Sequence, residues 1–171
     1  MLKLTKKADY GLIAVCHLSR KAGMVPTRPG PSSASAKDIA DQYRIPLPLL
    51  SKVLQTLVRN GVLASEQGAA GGYRLARDPH DINALEVIRA IDGPIILTQC
   101  FTEHAEHVQC DQSVSCPVRQ PLRKVHEGIL QLLSRISVSE LASDEMAVPG
   151  IPGMVSSIQP SPASLNTRVR T

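Results

Sequence analysis

"IPLPLLSKVLQTLVRNGVLASEQGAAGGYRLARD", residues 45–78, is the stretch on which the reading of the chain turns. Leu50, Val53, Leu54 and Leu57 recur at the spacing of one helical face, and Gly61 ends the pattern. Pro48 suits the first turn, where its missing N–H goes unnoticed, so a helix is expected from Pro48 to Asn60. Its other face carries Ser51, Lys52, Gln55, Thr56 and Arg59, a set able to donate hydrogen bonds and positive charge. Two strand-like runs follow, Val62–Ser65 and Tyr73–Arg77, around Gly68, Gly71 and Gly72. They read as a β-hairpin. A phosphate-binding loop is excluded, because no Gly-Lys-Ser/Thr and no helix follow the glycines.

Working outward, Ile39, Ala40 and Tyr43 face inward on a shorter helix, with Ser35 as its N-cap, and Arg44-Ile45-Pro46 breaks it. Two short helices, a tight turn and a polar second face make a helix-turn-helix, and the hairpin supplies a wing. A first helix, Lys6 to Arg20, is capped by Thr5 and has Cys16 on its apolar side as a core residue. Residues 23–36, rich in Pro, Gly and Ser, read as a mobile loop. A fourth helix is "NALEVIRAID", 83–92, with Leu85, Ile88 and Ile91 on one face. Beyond Gly93-Pro94 lies a cysteine-bearing segment, and then a helix from Pro117 to Ile136. Its apolar residues Val118, Leu122, Val125, Ile129, Leu132 and Ile136 are spaced 4, 3, 4, 3, 4. That is the seam of a coiled coil, hence a homodimer, with packing on the chain's own domain as the alternative.

The expected fold class is mainly α with a small β-hairpin wing: a winged helix-turn-helix over 1–92, a ligand loop over 93–116, and a dimerisation helix with a short terminal helix over 117–143. Residues 144–171, with four Pro and no periodic apolar face, are expected to be a disordered tail.

Composition narrows the function. Residues 1–76 hold eleven Lys/Arg against four Asp/Glu, whereas 77–143 hold six against nine, so the basic excess sits where the helix-turn-helix lies. Such a half suits a polyanion, here double-stranded DNA. Lys52 and Arg59 suit phosphates; Ser51, Gln55 and Thr56 suit base edges, Gln55 because an amide pairs two-pronged with adenine. Lys6 and Lys7 add phosphate contacts, and Gly71 and Gly72 allow close approach of the wing. An enzyme is not expected, since paired carboxylates, a nucleophile with an evident base and a nucleotide loop are all missing. The N-terminal apolar run, Leu12 to Cys16, is too short for a secretory signal or a membrane span, so a cytoplasmic location is expected.

In such a reducing compartment the thiols of "CFTEHAEHVQCDQSVSC", residues 100–116, read as metal ligands or redox groups before they read as a disulfide framework. The gaps, nine residues between Cys100 and Cys110 and five between Cys110 and Cys116, are wide for a structural zinc knuckle. Zinc, a dithiol switch and iron all stay open on these residues alone.

The order "LTKKADYGL", "IPLPLLSKVLQTLVRNGVL", "GAAGGYRLARD" and three cysteines ahead of a long helix resembles the IscR and NsrR type of winged-helix regulators, over residues 1–143. The segment "LTQC…CPVR" is most similar to the subgroup that regulates SUF iron–sulfur assembly genes. The resemblance implies a homodimeric repressor with recognition helices in successive major grooves and wings at the minor groove. It also implies an iron–sulfur cluster, 2Fe–2S ahead of 4Fe–4S, held by Cys100, Cys110 and Cys116 with a weaker fourth ligand. Asp9 falls where some members place that ligand, contributed by the partner subunit; His104 and His107 are the other candidates. The chain departs from the pattern in three further ways: its wide Cys100–Cys110 gap, Arg119 in place of a ligand histidine, and Gln67 where an arginine commonly precedes the wing glycines.

Overall fold

The structure is a computed structural model that describes residues 4–23, 33–67, 71–98 and 115–143. Helix α1 spans Lys6–Gly23, three residues further than the apolar pattern reached. Thr5 starts it as expected: its hydroxyl accepts the Ala8 N–H at 3.2 Å. The same hydroxyl donates to the Asp92 carboxylate at 2.6 Å, which ties the head of α1 to a distant helix end.

Helix α2, Ala36–Tyr43, begins with a capping box in which Ser35 and Asp38 satisfy each other's backbone N–H groups. It ends at Arg44, whose left-handed backbone (φ 54°) turns the chain without a glycine. Pro46 then opens α3, Leu47–Arg59, with Pro48 in the first turn. Strands β1 (Leu63–Glu66) and β2 (Gly72–Leu75) pair antiparallel, Leu63 opposite Leu75 and Ser65 opposite Tyr73. The hairpin is therefore a wing, as its glycine-flanked runs predicted.

The loop reading of residues 23–36 needs correction at its end. Ala34 exchanges both backbone hydrogen bonds with Tyr73, at 3.0 and 2.9 Å, and so adds a one-residue rung to the wing's sheet. Gly72 makes this possible, because a Cβ there would lie 2.8 Å from the Ala34 carbonyl oxygen.

Helix α4 is Ala84–Asp92; Asn83, read as its first residue, is its N-cap and accepts the Glu86 N–H at 2.9 Å. Gly93 ends it at φ 79°, ψ −160°, a conformation open essentially to glycine alone. Helix α5 is Arg119–Arg135, so Val118 and Ile136, taken as the outer seam residues, are its caps. Helix α6, Val138–Ala142, carries a second capping box, Ser137 with Glu140.

The core gathers Leu18, Ile39, Leu50, Leu54, Leu57, Ile82 and Val138, all sealed from solvent. Each such side chain contributes roughly 1.5–3 kcal/mol of transfer free energy. Val138 comes from beyond α5, so the chain returns to build the same core as the helix-turn-helix. Backbone bonds fix that return: Val138 N–H to the Ile82 carbonyl and Ala84 N–H to the Ile136 carbonyl, both 2.8 Å. Cys16 is only half-buried, at the margin of this core. The expected tail, 144–171, lies outside the described residues.

Candidate nucleic-acid interface and cysteine segment

Helix α3 is held by Leu50, Val53, Leu54 and Leu57, all four buried as their spacing predicted. That anchorage dictates what faces out. Pro48, Lys52, Gln55 and Arg59, at steps of four, three and four, are all exposed along one line. Ser51 and Thr56 flank the line and are half-buried. Thr56 is partly spoken for: its hydroxyl donates to the Lys52 carbonyl at 2.9 Å and accepts from the Arg59 guanidinium at 3.1 Å. Arg59 is thereby drawn along the helix. The Gln55 amide, by contrast, has no hydrogen-bond partner among the described residues and keeps both its donor and its acceptor available.

Lys6 and Lys7 are exposed at the head of α1, whose position the Thr5–Asp92 bonds set. On the wing, Gly71 and Gly72 are half-buried. The close approach that Gly72 permits is to the chain's own Ala34, a role that glycine content alone did not separate from contact with a ligand. Arg74 escaped the sequence reading. It is exposed on β2 and pairs with Glu66 of β1 at 2.8 Å. Strand alternation, with Leu75 inward, was the signal that placed it outward.

Of the expected metal ligands, Cys116 and Asp9 are described, while Cys100, Cys110, His104 and His107 lie outside the described residues. Cys116 is half-buried, and its carbonyl accepts the Arg119 N–H at 3.5 Å, which places it just ahead of α5. Asp9 is exposed in the first turn of α1. Among the described residues no three His, Cys, Asp or Glu side chains come together as a metal site. Burial pushes the Cys16 thiol up, with Arg20 opposing weakly, so Cys16 stays protonated and suits packing better than ligation.

Helix α5 buries none of its residues within the chain. It leans on α4, which in turn packs on α3 and α1. Asn60, capping α3, reinforces the α3–α4 junction by donating to the Ala90 carbonyl at 3.3 Å. No helix among the described residues is long and apolar enough to cross a membrane.

The same arrangement recurs in known proteins. The solved structure of CymR, the global cysteine regulator of Bacillus subtilis, superposes with a TM-score of 0.61 at 27% identity, over 83% of this chain and 97% of that one. By sequence the chain is 31% identical to the transcriptional regulator NsrR of Bacillus subtilis, across 84% of this chain and 92% of that protein. It is 30% identical to the regulator IscR of Xenorhabdus nematophila, across 84% and 81% respectively. The Rrf2 family, iron-dependent transcriptional regulators, matches residues 4–144. With a winged helix-turn-helix in place and a family match over most of its length, the chain belongs to the Rrf2 family and is a transcriptional regulator, not an enzyme.

Proposed function

We propose that this regulator is a homodimeric repressor whose operator affinity depends on an iron–sulfur cluster, 2Fe–2S in preference to 4Fe–4S, and that its targets are iron–sulfur assembly genes. One observation carries the reading. Cys116 stands immediately before α5, and that helix leaves Val125 53% exposed along an apolar line with Leu122, Ile129 and Leu132. The last candidate ligand thus lies just ahead of a long helix whose apolar side the described residues cover only in part.

The donor set fits such a cluster. Three thiolates, Cys100, Cys110 and Cys116, are soft and anionic, and a carboxylate or imidazole from Asp9, His104 or His107 gives a harder fourth position. Cys116 is half-buried, which leaves its thiol reachable without stranding it in solvent. When bound, the cluster supplies an iron centre that oxidants or iron shortage can remove. Everything else is done by the chain. Ligation would join Cys100 and Cys110 to Cys116 just ahead of α5; α5 bears on α4, and α4 on α3. Two recognition helices must meet grooves about 34 Å apart, so a change in how two α5 helices pack alters operator affinity.

Anaerobic purification followed by an absorption spectrum and iron and sulfide analysis tests the proposal. The expected result is a coloured protein, and a Cys110→Ala variant that loses the chromophore but keeps its helical circular dichroism. A full spectrum in that variant, or no iron even after reconstitution, overturns it. A second reading keeps the scaffold and the cluster but makes the protein a nitric-oxide or redox sensor with different target genes. Bleaching by nitric oxide at low stoichiometry, with loss of DNA binding, would favour it. A colourless protein carrying zinc, or none that carries metal, would leave a thiol-based DNA-binding regulator.

A further inference from the structure

The first turn of α3 is apolar and exposed. Pro46, Leu47 and Pro48 all face solvent, and Leu47 keeps 40% of its surface there. Isolated exposed apolar residues need no explanation, but three in succession at the tip of a recognition helix are not scattered. In helix-turn-helix docking it is the N-terminal residues of that helix that meet base edges. Here those residues bring no side-chain donor or acceptor before Ser51. The backbone brings little more: the Leu49 and Leu50 N–H groups both bond the Pro46 carbonyl at 3.0 Å, Pro48 has none, and Pro46 provides no side-chain cap. Only the Leu47 N–H is left over, so the tip is poorly equipped for phosphate.

The major groove displays one apolar group, the 5-methyl of thymine. We infer that Leu47, with Pro48 beside it, reads thymine methyls in each half-site and is a specificity-determining residue of this regulator. The inference rests on the DNA-binding reading above. It adds a part of the code that hydrogen bonds from Gln55 and Ser51 do not supply: a preference for thymine over uracil and cytosine, both of which lack the methyl. Lys52, Gln55 and Arg59 continue the line from Pro48, so the methyl contact lies at one end of the same footprint.

The test uses the full chain. Duplexes enriched from a random pool by the wild-type protein are resynthesised with each thymine replaced singly by uracil, which removes only the methyl group. One or two positions per half-site should lose about three- to fivefold in affinity. Leu47→Ala should bind the thymine duplex weaker by a similar factor and be indifferent to uracil, while Leu47→Met should retain the discrimination. Uracil tolerated at every position, or equal sensitivity in Leu47→Ala, overturns the inference and leaves DNA binding standing. Enrichment of no duplex at all removes both readings. If Leu47→Ala lowers the mass in solution and keeps the uracil effect, the tip contacts a second copy instead, and the inference fails.

Discussion

Helices α3 and α5 make the same statement in sequence and opposite statements in structure. Both alternate apolar residues at three and four, and both carry polar outer faces. Yet α3 buries Leu50, Val53, Leu54 and Leu57, whereas α5, the longer of the two, fully buries none of its residues. Periodicity reports that a face wants covering and is silent about what covers it. For α3 the cover is the chain's own core; for α5 the main contact among the described elements is α4. A groove of about 460 Å³, reaching Asn60, Arg89 and Ser134, even opens beside that contact.

The comparison breaks most sharply if each face is damaged in turn. Leu54, sealed completely, should cost roughly 2–5 kcal/mol when replaced by alanine, the range for truncating a core leucine. Urea unfolding followed by circular dichroism measures it, and a loss below 1 kcal/mol would mean that Leu54 does not anchor α3 in the core. Val125→Asp on α5 should leave the helical signal intact. It should halve the mass in light scattering and weaken operator binding by roughly ten- to a hundredfold, about 1.4–2.8 kcal/mol. If the mass stays that of a dimer, the seam lies elsewhere.

The same contrast explains what the sequence could disclose. Helix-turn-helix, wing and the Thr5 and Ser35 caps were legible because they are local, each cap beside the helix it starts and the hairpin runs close in sequence; the Asn83 and Ser137 caps were not read. Ala34 joining Tyr73 was not, since a single-residue rung between segments 39 positions apart has no period to betray it. Nor was the docking of α6, where Arg20 reaches the Ala142 carbonyl at 2.7 Å across most of the chain. The cysteine set was legible as chemistry, by residue type and order, but not as geometry. Spacings of nine and five fix no angle between thiols.

Gly72→Ala sharpens the non-local part. The added Cβ would sit 2.8 Å from the Ala34 carbonyl oxygen and 3.0 Å from its carbon, both backbone atoms that cannot swing aside. Overpacking of this kind costs about 1–3 kcal/mol. The Ala34 and Tyr73 amides should then exchange hydrogen faster, while those of α3 stay protected. Uniformly unchanged exchange would mean that the rung contributes no rigidity to the wing.

The smallest effect concerns the joint between α1 and α2, and its sign follows from burial. His17 on α1 meets Tyr43 on α2, with its Nδ1 3.3 Å from the hydroxyl and the two rings edge to face. Burial lowers the His17 pKa below its ordinary 6.5; Lys21 and Arg20 push the same way, and Asp38 across the joint opposes them. The folded state therefore holds the imidazolium less readily than the unfolded chain does. Its contribution is complete above the unfolded pKa and is lost as pH falls through the folded one. Below about pH 6.5 the urea midpoint of the wild type should decline, and that of His17→Gln should decline less. The test is the difference in slope, not in absolute stability, because glutamine also gives up the ring contact. Parallel slopes from pH 8 to 5 would show that the α1–α2 joint is indifferent to protonation, which would leave Tyr43 as a purely steric partner.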